Sequence, residues 1–191
     1  MTNVKLVPHD LSYAERIFEL ISDPQVKDAL GIKDESVKDT IRFIHWIIEE
    51  EHRGNQVSRI ILNEHNELVG ITTLMFIKPV EKQCHIGTWI GQEYWGRGYN
   101  QASKLEILKI AFLELGMKFV FAGARKINIR SQKAQEKLSY IRLNVETLFP
   151  KELEFLEKKE KQPCILHAFY KEDFINYLKS GWMQIRNRAN S

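Results

Sequence analysis

The spacing of apolar residues changes period several times along this chain, and each change marks an element. Val4 to Pro8 reads as a first strand, and Asp10 stands where a helix N-cap belongs. Beyond it Leu11, Ala14, Phe18 and Ile21 recur three and four apart, one face of a helix that Asp23-Pro24 is expected to stop. A second helix starts at Ser36, with Val37, Ile41, Ile44 and Ile48 as its stripe and Asp39 placed for a loose capping box; Gly54-Asn55 is its exit. The pattern then turns extended. Val57–Asn63 and Glu67–Ile77 are rich in β-branched residues around a Glu64-His65-Asn66 turn, and Cys84–Ile90 follows as a third strand of the block.

From Gly98 the helical period returns, with Leu105, Leu108, Phe112 and Leu115 on one face and Gly116 as the stop. Phe119–Ala124 reads as a strand, Ile129–Leu138 as a short helix, Tyr140–Leu148 and Cys164–Tyr170 as the last strands, and Glu172–Lys179 as a terminal helix. The charge-dense stretch Lys151–Lys161, with four Lys and four Glu, reads first as a solvated excursion between two strands. It also admits an amphipathic lid with Leu153, Phe155 and Leu156 inward, and Glu152, Glu154 or Glu157 attracting a protonated amine.

Composition narrows the class. The 191 residues suit one domain, taken here as residues 1–191, and 43% hydrophobic content supports a real core. The net charge of +3 is spread along the chain, so a nucleic-acid-binding domain, though weighed, finds no motif to support it. Two cysteines are too few for a disulfide scaffold, and no apolar run approaches the ~20 residues that span a bilayer. The expectation is a cytoplasmic protein that binds neither nucleic acid nor membrane. The six histidines show no metal spacing, so no metal is expected. Trp46 and Trp182 read as packing residues.

Four of the ten glycines, Gly87, Gly91, Gly96 and Gly98, fall within twelve residues, between the end of a strand and the start of a helix. A helix N-terminus offers unpaired N–H groups and a positive dipole end, and glycine lets an anion approach them. Arg97, between two of the glycines, could add a charge-assisted contact. On spacing alone the same glycines could serve only a tight turn.

The run Ile86-Gly87-Thr88-Trp89-Ile90-Gly91-Gln92-Glu93-Tyr94-Trp95-Gly96-Arg97-Gly98-Tyr99 closely resembles the cofactor motif of the GNAT acetyltransferases, in the branch containing the ribosomal-protein-alanine N-acetyltransferases. Asn128, Ser131 and Lys137-Leu138-Ser139-Tyr140 resemble that branch's second motif, and Gly70 and His167-Ala168-Phe169-Tyr170 also fit. The resemblance implies an α+β fold: a mixed, mostly antiparallel central sheet flanked by helices, whose fourth and fifth strands, Cys84–Ile90 and Phe119–Ala124, splay apart. It implies acetyl-coenzyme A as co-substrate, with the pantetheine arm against the backbone of Trp89 and Ile90. The pyrophosphate would lie in a cradle of Trp95, Gly96, Arg97, Gly98, Tyr99, Asn100 and Gln101, with Asn128 near the thioester. A bulge in the fourth strand would aim an N–H at the thioester carbonyl.

The implied activity is acetyl transfer to a primary amine, either a protein N-terminal α-amine or a small amine, by a monomer or homodimer. Such attack needs a base for the amine and a partner for the leaving thiolate. His85, on the fourth strand, suits a base. Gln135 stands where many family members carry a Tyr acid, which leaves Ser131, on the same helix, as the substitute. Cys84 has no evident base partner and reads as a core residue, against a covalent route. Asn100, Ala102 and Ser139 depart from the family pattern. With the absent Tyr they motivate the alternative of a non-catalytic acetyl-coenzyme A-binding or regulatory module.

Overall fold

The computed structural model describes residues 2–31 and 35–189, with 182–189 as backbone only; the side chain of Trp182 lies outside the described part. The strands are β1 (Lys5–Val7), β2 (Gln56–Leu62), β3 (Leu68–Lys78), β4 (Gln83–Ile90), β5 (Phe119–Arg125), β6 (Ile141–Arg142) and β7 (Cys164–Tyr170). The helices are α1 (Ala14–Ile21), α2 (Pro24–Leu30), α3 (Val37–His52), α4 (Tyr99–Lys109, with a π-helical turn over Ile110–Glu114), α5 (Ile129–Glu136), α6 (Pro150–Glu160) and α7 (Lys171–Ala189). The strands form one sheet in the order β1-β2-β3-β4-β5-β7-β6. Only β4 and β5 run parallel. This is the mixed, mostly antiparallel α+β architecture expected.

Strand alternation assigns the two faces. Ile60 and Ile71 pack with Ile44 of α3, and Phe121 packs with Leu156 of α6. Val120 and Ala122, one residue either side of Phe121, join Ile107 of α4, Phe112 of the π-helical turn and Phe174 of α7. Thus α3 and α6 cover one face of the sheet, and α4 and α7 the other. Gly70 is required where β3 and β4 approach, because a Cβ there would lie 2.1 Å from the Trp89 carbonyl oxygen.

Three expectations change. Asp23-Pro24 ends one helix but also starts α2: the Asp23 carboxylate accepts from Gln25 and Val26 N–H, and proline occupies the first turn, where its missing N–H costs nothing. Tyr140–Leu148 contributes only Ile141–Arg142 to the sheet; Asn144 turns to φ +55° and Leu143 and Leu148 face solvent. Lys151–Lys161 is not a solvated loop. Phe149 and Pro150 start α6 there, which buries Glu152 and Leu156 and half-buries Leu153 and Phe155.

Tyr140 is buried against Phe169, Phe174 and Tyr177, and its hydroxyl has no hydrogen-bond partner among the described residues. Burial pushes its pKa up. Leaving a buried hydroxyl unsatisfied costs about 1–3 kcal/mol, so Tyr140→Phe is expected to stabilise the fold by about 1 kcal/mol. The check is a higher urea midpoint at unchanged m-value.

Candidate active site

β4 and β5 pair only over Gln83–Phe119, Cys84–Val120 and His85–Phe121. Beyond that point Ile86–Ile90 keeps its β3 partners but has none in β5, so the two strands part. Gly91 N–H donates to the Val69 carbonyl, and alternation along an antiparallel ladder then directs the backbone of Trp89 and Gly87 at β3 and that of Ile90, Thr88 and Ile86 into the gap. The Ile90 carbonyl accepts from the Trp95 indole at 2.7 Å, which ties the strand end to the glycine loop. The expected bulge in β4 is not there. Pairing is regular from His85 to Ile90, and the irregularity lies opposite, in β3 between Met75 and Lys78, where Phe76 takes φ +54°.

The glycine loop closes the wide end of the gap. A short 3-10 turn (Gln92–Tyr94) leads to Trp95; Gly96 takes φ +76°, and Gly98 caps α4 at φ +86°, a conformation that side chains with a Cβ disfavour. Among the described residues no side chain caps α4, which leaves its first N–H groups open to an anion. Cations surround this end. Arg130 stacks on the Trp95 ring at 3.4 Å, and Arg97 lies 5.7 Å from the centroid of Tyr94. Tyr99 is buried, with its hydroxyl donating to Glu64. Lys104 is buried one turn further on and donates to Asn100 Oδ1 at 2.6 Å; burial pushes its pKa down to about 8. The open amides, the glycine approach and this positive surround suit a pyrophosphate.

At the closed end of the gap lies a buried acid–base pair. His85 Nε2–H donates to Glu152 Oε2 at 2.9 Å, a tautomer fixed by the ionised carboxylate, which can only accept. Glu152 also accepts from Lys78 Nζ at 2.8 Å and Gln83 Nε2 at 2.7 Å. Burial pulls the Glu152 pKa up, but the hydrogen bonds from Lys78 and His85 outweigh it, and the carboxyl sits below its usual range. Burial likewise pulls His85 below the ordinary imidazole value, against the partial opposition of Glu152. Phe76, Phe121 and Phe155 ring the imidazole with centroids at 5.9, 5.3 and 5.5 Å. His85 is therefore held neutral, with Nδ1 left as the atom that can take a proton.

A cleft of about 590 Å³ opens on the same face of the sheet, between α2 and α3 on one side and Lys159 of α6 on the other. Its floor is Ile71, Thr73, Met75, Gly87 and Trp89; its walls include Phe43, Trp46 and Phe76, which also touches His85. Trp46, expected as a packing residue, is half exposed at this rim.

The other candidates fall on α5. The Asn128 side chain caps that helix by accepting from Ser131 N–H at 3.0 Å. Ser131 Oγ accepts from Gln135 Nε2 at 3.2 Å, which leaves its own proton free to be directed elsewhere. Cys84 is buried with its thiol pushed up to about 12 by burial, in keeping with a core residue. Of the α6 carboxylates, Glu152 is fully engaged and Glu157 accepts from Cys164 N–H. Sequence reasoning missed Glu152 as the His85 partner, and missed Lys104 and Arg130. Arg130 was within sight, inside the Asn128–Ser131 motif. Among the described residues, no cluster of His, Cys, Asp or Glu is placed to hold a metal ion, and no helix is long and apolar enough to cross a membrane.

A sheet that parts between parallel neighbours, with a glycine-capped helix at the wide end and an apolar cleft beside the narrow end, is an architecture that suits an acyltransferase drawing on a nucleotide thioester. The chain belongs to the GNAT acetyltransferase family, whose domain model matches residues 3–140. It is 24% identical over 135 residues to p20, an uncharacterized N-acetyltransferase of Bacillus licheniformis, covering 69% of this chain and 75% of that protein. Among solved structures it resembles a protein from Vibrio cholerae provisionally assigned as a ribosomal-protein-serine acetyltransferase (TM-score 0.70, 16% identity, 88% and 94% of the two chains). It also resembles the spermidine N-acetyltransferase of Vibrio cholerae, solved with CoA and spermine (TM-score 0.69, 11% identity, 91% and 98%).

Proposed function

We propose that this protein transfers the acetyl group of acetyl-coenzyme A to a primary amine by direct attack. The observation that carries the reading is one continuous path. It runs from the open N-terminus of α4, along the unpaired backbone of β4, to the His85–Glu152 pair. The amides from Trp95 to Gln101 hold the pyrophosphate, reinforced by Arg97 and Arg130. Asn100 contributes backbone there, since its side chain is occupied by Lys104. Ile90 and Thr88 offer backbone groups to the pantetheine arm, and Trp89 supplies the strand's side chain on the cleft face. Asn128 fixes the start of α5 and so the position of Ser131.

When bound, the thioester supplies the activated acyl carbon. His85 Nδ1 takes the proton of the attacking nitrogen as the C–N bond forms and the C–S bond breaks, and ionised Glu152 stabilises the imidazolium. The Ser131 hydroxyl directs its proton at the leaving sulfur. A hydrogen bond to a charged group is worth about 1.5–3 kcal/mol, so Ser131→Ala is expected to lower kcat by about 10–100-fold. Because the bond matters mainly in the transition state, affinity for coenzyme A should hold within about twofold. Single-turnover kinetics with parallel calorimetry separate the two, and an unchanged kcat removes Ser131 from the mechanism.

A further inference from the structure

Resting on the acetyl-transfer reading, we propose that the acceptor is a small primary amine carried on an apolar body of aromatic size, such as an arylalkylamine, bound in the cleft between α3 and α6. The walls argue for it. Phe43 and Trp46 form a ring pair 6.1 Å apart in the wall, Phe76 adds a third ring, and Ile71, Met75 and Trp89 make the floor. Trp46 and Phe76 are 51% and 38% exposed, apolar surface that a bound ring would remove from water. The volume of about 590 Å³ is that of a small-molecule site.

Charge and hydrogen bonding exclude the two other kinds of amine. Among the described residues Glu50 is the one carboxylate lining the cleft, and it already accepts from Arg53 Nη1 at 3.0 Å and Asn55 Nδ2 at 2.8 Å. Lys159, which also lines the cleft, is itself paired with Glu160 at 2.7 Å. A polyamine could bring one amine to His85, but among the described lining residues its further ammonium groups would find no carboxylate that is not already paired. A peptide would bring several backbone amides to a floor whose one hydroxyl, Thr73, already pairs with Ser58 at 2.7 Å, and Gln56 Nε2, unpartnered among the described residues, could meet only one of their carbonyls. An arylalkylamine asks for neither, and its single charge faces aromatic rings and then His85.

The test measures binding and turnover separately. Phenethylamine, spermidine and the tripeptide Phe-Ala-Ala are titrated calorimetrically into the protein with coenzyme A present, and each is then assayed with acetyl-coenzyme A for thiol release. Phenethylamine is expected to bind about tenfold or more tightly than either rival, because only the rivals bury unpaired charge or amides. Trp46→Ala, at an exposed rim position, is expected to weaken phenethylamine about tenfold while leaving coenzyme A affinity unchanged. Tighter binding of spermidine or of the peptide overturns the proposal, as does a Trp46→Ala protein that binds phenethylamine like the parent. Phenethylamine binding that depends on Trp46 but gives no thiol release upholds this assignment of the cleft and overturns the transfer reading instead.

Discussion

Replacing His85 by Asn is expected to lower kcat by about 10²–10⁴-fold, the usual contribution of a positioned general base. Coenzyme A affinity should be unaffected, because His85 stands at the closed end of the β4–β5 gap, away from the glycine loop. A merely structural histidine would not shape the pH profile, and this one should. The base must be neutral, so kcat/KM is expected to fall as pH drops through the His85 pKa, which burial places below the ordinary imidazole range. Glu152→Gln sharpens the test. The carboxylate contributes the upward pull on His85, through its hydrogen bond and its charge. Removing it lowers the pKa further, so the acid limb should move to lower pH while the plateau falls, since the imidazolium loses its stabilising partner. An acid limb that stays in place in Glu152→Gln would mean that some other group reports it.

Gly98→Val is expected to raise the coenzyme A Kd at least about tenfold, since a β-branched residue held at positive φ stores about 1–3 kcal/mol of strain. Gly98 has φ +86°, and a Cβ there would come within 2.9 Å of Thr2 Oγ1, whose hydroxyl donates to the Arg97 carbonyl. The new side chain would also stand in front of the open N–H groups of α4. Gly116→Val is the control. Its φ of +67° brings a like conformational penalty in open space, away from the loop. It should lose stability without losing coenzyme A affinity. Equal loss of affinity in both variants would show that global destabilisation, not the loop, sets binding.

What the residue pattern disclosed and what it hid follow from the range of the interactions. β2, β3 and β4 were legible because β-branched runs around a short turn specify strands locally; the Asn63 side chain completes that turn by accepting from His65 and Glu67 N–H. The glycine loop was legible because its chemistry lies within a dozen consecutive residues. α2 was missed because proline was read only as a terminator, when Asp-Pro is also a cap followed by a first-turn proline. Tyr140–Leu148 alternates like a strand, yet after Arg142 the backbone turns away at Asn144, at φ +55°, and among the described residues Val145 N–H alone returns to the β7 backbone, at the Leu166 carbonyl. The His85–Glu152 pair was half visible. His85 could be named, but Glu152 is 67 residues away, inside a run of charges whose local reading is a wet surface. Lys104 was hidden the same way, as a charge on a helix whose buried face only the tertiary structure reveals.

Acetyl transfer to an amine nitrogen is read out by acetyl-coenzyme A turnover across a panel of primary amines, followed by mass spectrometry of the acceptor. Stoichiometric thiol release and an acetyl group on the amine nitrogen are expected, both diminished in His85→Asn. Tight binding of acetyl-coenzyme A with no amine-dependent thiol release from any acceptor would contradict that transfer, and would describe a module that binds the thioester without using it.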